Sequence, residues 1–180
     1  MTASPRRGMI YPLDVLYAHA GLAPPHARRL QADQLPPPYD NLLAHQREMT
    51  STLEAHFGSK LTVRVLTTFM RGTIYYRRVL LALEDSGRPA AMGAVAIRLD
   101  AFAPRVRAKI VAQREPLGRL VRQSGVDFDI RPQAFFQVTP NSEMLGVFHM
   151  RAGVPLYGRQ TRMHVAGKAI GYVVEVLPDF

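Results

Sequence analysis

The sequence predicts an α+β domain: a single antiparallel β-sheet of about six strands, flanked by helices packed on one face. Three observations lead there. The apolar residues switch from helical spacing to a period of two near Leu61. Two pairs of apolar runs are joined by short turn sequences, Asp85-Ser86-Gly87-Arg88-Pro89 and Ala166-Gly167-Lys168, as in antiparallel hairpins. Between them Phe102, Val106 and Ile110 recur every four residues, the mark of a helix.

Taken in order, the first forty residues hold seven of the 14 prolines, including Pro24–Pro25 and Pro36–Pro37–Pro38. Proline removes a backbone donor and fixes φ, so residues 1–40 read as an extended arm with at most a short helix near Leu13–Ala20. The folded domain is expected over residues 41–180. Asn41 is a candidate N-cap for a helix carrying Leu42, Leu43, His45, Met49, Leu53 and Phe57, closed by Gly58. Strands are expected at Leu61–Leu66, Ile74–Glu84 and Ala90–Leu99. Helices follow at Ala101–Gln113 and Pro116–Gln123, the second opened by a proline at a tolerated position. Short strands are expected at Ala134–Val138 and Met144–Met150, around the turn Thr139-Pro140-Asn141-Ser142. The chain closes with a hairpin of Gln160–Val165 and Ala169–Leu177.

Composition narrows the chemistry. The 180 residues are 47% hydrophobic and 21% charged, contain no cysteine, and carry a formal charge of +9. Disulfides, thiolate nucleophiles and cysteine metal sites are therefore excluded. No run of eighteen apolar residues predicts a membrane span. The first residues, MTASPRRGMIYPLDVL, lack the apolar segment of a secretory signal, so a cytoplasmic location is expected. Only Lys60, Lys109 and Lys168 are lysines; arginine supplies the rest of the positive charge and suits bidentate binding of carboxylates or phosphates. The cations are scattered in pairs such as Arg6–Arg7, Arg28–Arg29 and Arg105–Arg107, without a nucleic-acid motif, so no nucleic-acid partner is expected. There is no glycine-rich phosphate loop and no dinucleotide fingerprint. The histidines show no metal-ligand spacing. Neither a metal nor a cofactor is expected.

Two positions stand out because they interrupt apolar strands. Arg77–Arg78 lie in IYYRRVLLAL, where alternation lets only one of them point inward, and Glu175 lies in IGYVVEVL. A buried charge needs a partner or a charged ligand. From pattern alone, an internal Arg–Glu salt bridge, or both residues facing solvent, is the plainer reading.

Between Met49 and Pro178 four segments, in order, resemble the chorismate pyruvate-lyase family: Met49-Thr50 with Leu53-Glu54; Arg77-Arg78-Val79-Leu80-Leu81; Pro116-Leu117-Gly118-Arg119; and Tyr157-Gly158-Arg159 with Arg162, through Gly167-Lys168 to Glu175. The resemblance implies a chorismate lyase-like fold and a cofactor-free lyase of ubiquinone biosynthesis. That enzyme would be a cytoplasmic monomer eliminating pyruvate from chorismate to leave 4-hydroxybenzoate. The long Val126–Pro155 segment leaves 3-hydroxybenzoate open as product. It implies Arg77 and Glu175 as catalytic residues, and Met49, Leu117, Gly118, Arg159 and Arg162 around the substrate. Arg77 would clamp a carboxylate and Glu175 would meet the ring hydroxyl. The rival expectation is a non-catalytic domain of the same fold that binds an aromatic acid, as in the effector-binding domains of some bacterial transcription regulators.

Overall fold

The computed structural model describes residues 8–180; Pro5 and the Arg6–Arg7 pair lie outside the described residues. Seven antiparallel strands form one sheet. They are β1 (His26–Leu30), β2 (Leu61–Arg71), β3 (Ile74–Leu83), β4 (Pro89–Arg98), β5 (Phe128–Thr139), β6 (Leu156–Val165) and β7 (Lys168–Leu177). Their spatial order is β1-β5-β6-β7-β4-β3-β2. Two meanders, β2-β3-β4 and β5-β6-β7, are thus joined edge to edge where β4 pairs with β7, with Gly93 opposite Glu175 and Val95 opposite Val173. The α+β class and the single antiparallel sheet match the expectation.

Helices cover both faces rather than one. On one face, α1 (Leu13–His19) and α6 (Ser142–Phe148) bury Leu13, Leu16, Tyr17, Met144 and Phe148 against Tyr76, Leu80, Ala94, Phe136 and Val174. On the other lie α2 (Tyr39–Leu43), α3 (Met49–Phe57), α4 (Pro104–Ala112) and α5 (Leu117–Gln123). They pack Leu43, Met49, Leu53, Ile110, Leu120 and Val121 against Val79, Leu81, Val95 and Ile97. A sheet covered on both sides has no solvated face, which is why β3 and β4 read as nearly unbroken apolar runs.

This also corrects the reading that only one of Arg77 and Arg78 points inward. Both are buried, on opposite faces. Arg78 faces α1 and α6: it pairs with Glu143, donates to Thr67 Oγ1 at 3.2 Å, and lies 4.3 Å over the Tyr17 ring. Burial raises the Tyr17 pKa, and the Glu143 carboxylate beside it adds to the rise. Burial alone would raise Glu143 as well. Hydrogen bonds from Arg78 and Tyr17 outweigh it and hold the carboxyl below its ordinary value.

Other differences have local causes. Residues 8–40, read from their prolines as an arm, supply α1 to the core and β1 to the sheet edge, where Leu30 pairs with Phe135. Their prolines sit at helix starts and loops, where a missing N–H costs nothing. The single helix expected from Asn41 to Phe57 is two helices, α2 and α3, broken at residues 44–48. Glu48 caps α3 by accepting from Ser51 N, and Gly58 ends it at φ 64°. The strand expected at Met144–Met150 is the helix α6. Its cap, Asn141, accepts from Met144 N at 2.9 Å, so the turn sequence before it is a helix start.

Gly158 in β6 is a close-approach position: a Cβ there would stand 2.5 Å from the Phe136 ring and 2.6 Å from the Glu175 carbonyl oxygen. A backbone atom cannot step aside, so Gly158→Ala is expected to lower stability by about 2 kcal/mol. The change would be read as a shift of the urea midpoint at constant slope.

Candidate functional site

One cleft lies between the sheet face that carries Arg77 and the helices α3 and α5, with about 590 Å³ of empty space when its open mouth is included. Strand register sets its floor. Val79, Gly93 and Glu175 form one cross-strand row; Arg77, Val95 and Val173 form the next. Arg77 and Glu175 therefore share a face with β4 between them, roughly 12 Å apart at Cα from strand spacing and rise. Gly93, the glycine in an otherwise apolar strand, puts no side chain between them. Met49, Thr50, Leu117 and Gly118 form the roof, with Phe128, Ile130 and Met163 at one side.

Arg77 is 2% exposed and no ion pair reaches it among the described residues. Its Nη1 is buried without a hydrogen-bond partner. Burial pushes the guanidinium pKa below its ordinary value, opposed by the Tyr75 hydroxyl beside it. Arginine remains charged nonetheless. The result is a cation facing an apolar cleft with an unused donor.

Glu175 is different. Arg159, directly across the β6–β7 ladder, donates Nε to Glu175 Oε2 at 2.6 Å and is 0% exposed. Its remaining donors run to backbone oxygens: Nη1 to Leu43 at 3.1 Å and His45 at 2.8 Å, and Nη2 to Arg47 at 2.9 Å. These carbonyls point at a side chain from another strand, which is the physical reason the α2–α3 helix is interrupted. The buried salt bridge inferred from pattern exists, with Arg159 in place of Arg77.

The two helices of the roof are held to each other by further ion pairs. Arg119 of α5 binds Glu54 of α3 and the Leu61 carbonyl at 3.2 Å, and Arg122 binds Glu48. Gly118 permits the approach of the two helices, since a Cβ there would collide with the Glu48 carboxylate and lie 2.8 Å from Thr50 Oγ1. Five of the seven residues expected at the site line the cleft: Arg77, Glu175, Met49, Leu117 and Gly118. Arg159 lies behind Glu175. Arg162 does not belong: it pairs with Tyr172 on the opposite sheet face, exposed, its guanidinium 5.8 Å over that ring. Alternation along β6 puts it there, since Thr161 and Met163 face the helices that roof the cleft. Sequence reasoning missed Glu48, Phe128, Ile130, Met163 and Val173. Apolar residues in buried strands carry no mark of facing a cavity. Only Gly93 carried a signal of its own.

The architecture is the chorismate lyase-like fold. Solved structures similar to this chain include the effector domain of PhnF from Mycobacterium smegmatis, at 11% identity and a TM-score of 0.58, covering 73% of this chain and 88% of that one. The longer PhnF structure matches at 12% identity and 0.56, covering 72% of this chain; this chain spans 63% of it. A gene product of Staphylococcus aureus matches at 11% identity and 0.53, over 76% and 90%. No family model matches the chain, and no curated protein matches it by sequence. Among the described residues, no helix is long and apolar enough to cross a membrane.

These likenesses correct the enzyme expectation. These solved structures include the effector domain of PhnF and none described as a lyase, which overturns the expected lyase activity, with chorismate as substrate, pyruvate and a hydroxybenzoate as products and a place in ubiquinone biosynthesis. The geometry agrees for Glu175: the carboxylate meant to handle a proton is bound to a fully buried guanidinium.

Replacing Arg159 by Met should leave Glu175 buried without its counter-charge and cost about 3–5 kcal/mol. Replacing Arg162 by Met should stay within about 0.5 kcal/mol. Urea unfolding of the two variants checks both.

Proposed function

We propose that this chain is a non-catalytic ligand-binding domain for a small organic acid with an apolar, preferably aromatic, body. One observation carries the reading: the unpartnered, buried Nη1 of Arg77 in an apolar cleft. A buried cation without a partner is costly, and a carboxylate supplies the missing charge and hydrogen bonds together. Val79, Val95, Leu117, Phe128, Ile130, Met163 and Val173 offer a ring a dry surface. Met49 and Gly118 complete the wall. Glu175, one oxygen held by Arg159, turns its other toward the cleft as an acceptor for a hydroxyl group at the far end of the ligand. The effector-domain form of the fold in PhnF supports a sensing rather than a catalytic role.

Calorimetric titration with benzoate, 4-hydroxybenzoate and benzamide tests this. The two acids should bind and the neutral amide should bind at least tenfold more weakly, since a charge-assisted hydrogen bond contributes about 1.5–3 kcal/mol. Incubation with chorismate should release no pyruvate. Equal binding of benzoate and benzamide would overturn the assignment. Arg77→Met should abolish acid binding while leaving the free protein as stable or more stable by about 1 kcal/mol, because it removes an unpaired buried charge. A structural arginine would behave in the opposite way, and thermal melts of the variant separate the two.

A further inference from the structure

We propose that residues 44–48 form an acid-released strap over the cleft, with His45 as its titrating group and Arg159 as its anchor. The segment is neither helix nor strand. Three features hold it. Arg159 donates to the carbonyls of Leu43, His45 and Arg47. The His45 ring spans the segment, Nε2 lying 2.8 Å from the Leu42 carbonyl and Nδ1 accepting from Arg47 N at 3.1 Å. Nδ1 also lies 3.2 Å from Arg159 Nη1. The Arg47 N–H donates to Nδ1 and the Leu42 carbonyl faces Nε2, so this arrangement requires the neutral ring with its proton on Nε2. A proton on Nδ1 would remove the acceptor and set a second cation against Arg159.

The surroundings offer little to offset that charge. Arg159 approaches from β6 and Arg47 from the strap itself. Glu175 of β7 is engaged by Arg159, and Glu48 at the start of α3 is engaged by Arg122 of α5. Burial and Arg159 lower the His45 pKa from 6.5 to about 4. In the released strap the ring returns to its ordinary value. Between the two values the released form binds more protons, so acidification favours release and the strap is fully held above pH 6.5.

The strap ends at Glu48, which lines the cleft beside Met49 of α3, and its anchor grips Glu175, which lines it from below. Occupancy of the cleft and closure of the strap are therefore coupled, and each must favour the other equally. This coupling rests on the ligand reading above; the acid release does not.

Two measurements on the full chain test the device. Imidazole NMR titration should find His45 neutral, with the proton on Nε2, down to about pH 4. Amide hydrogen exchange of residues 44–48, corrected for intrinsic chemistry, should speed up on the order of tenfold between pH 7.5 and pH 5. In His45→Gln that acceleration should vanish. Saturating 4-hydroxybenzoate should slow exchange of the strap in the wild-type chain. A His45 that titrates near its ordinary value, or an acceleration that persists in His45→Gln, would overturn the strap. Binding that leaves strap exchange unchanged would overturn the coupling. Failure of the acid to bind, with acid-sensitive exchange retained, would remove the ligand reading and leave the acid release standing.

Discussion

The guanidinium of Arg159 is the constraint around which this molecule is arranged. It has no exposed surface and five donors to satisfy, and the sheet offers it one carboxylate, Glu175, across the ladder. Backbone oxygens from Leu43, His45 and Arg47 take three more. Those oxygens are available because α2 stops and α3 starts anew, and α3 starting there puts Met49 and Thr50 over the cleft. A satisfied buried charge thus breaks a helix, and the break builds the roof of the cleft.

The same electrostatic logic separates the three buried arginines. Arg159 and Arg78 are each paired with a carboxylate, Glu175 and Glu143, and each ties a helix or loop to the sheet. No carboxylate pairs with Arg77 among the described residues. The Tyr75 hydroxyl lies beside it, and the cleft it faces is lined mainly by apolar side chains. Two arginines therefore tie elements of the fold together, and the third keeps an unpartnered donor at the cleft.

A carboxylate and an arginine on one sheet face invite a catalytic reading, and the resemblance to a lyase strengthens that invitation. The geometry engages Glu175 with the buried guanidinium of Arg159, and the solved structures that share the fold include an effector domain.

Periodicity and turn chemistry by themselves determined most of this fold. The period-two run at Leu61 became β2, the apolar runs after it became β3 and β4, the turn at Gly167 closed the β6–β7 hairpin, and the four-residue spacing became α4. The charges at Arg77 and Glu175 marked the cleft because a charge inside an apolar run is legible without coordinates. Tertiary structure alone decided the partner. Arg159 sits in a segment, YGRQTR, whose polarity looks solvated until α2 and the strap close over it. It likewise decided that residues 8–40 join the fold, because prolines report what a segment cannot be, not where its leucines pack. It turned Met144–Met150 into a helix, since Met144 and Phe148 fit helical spacing as well as they fit a strand until α1 supplies the surface they bury against. Local spacing fixes which way a side chain points along its own element. Which charge it meets there depends on strands and loops far away in the chain, brought together only by folding.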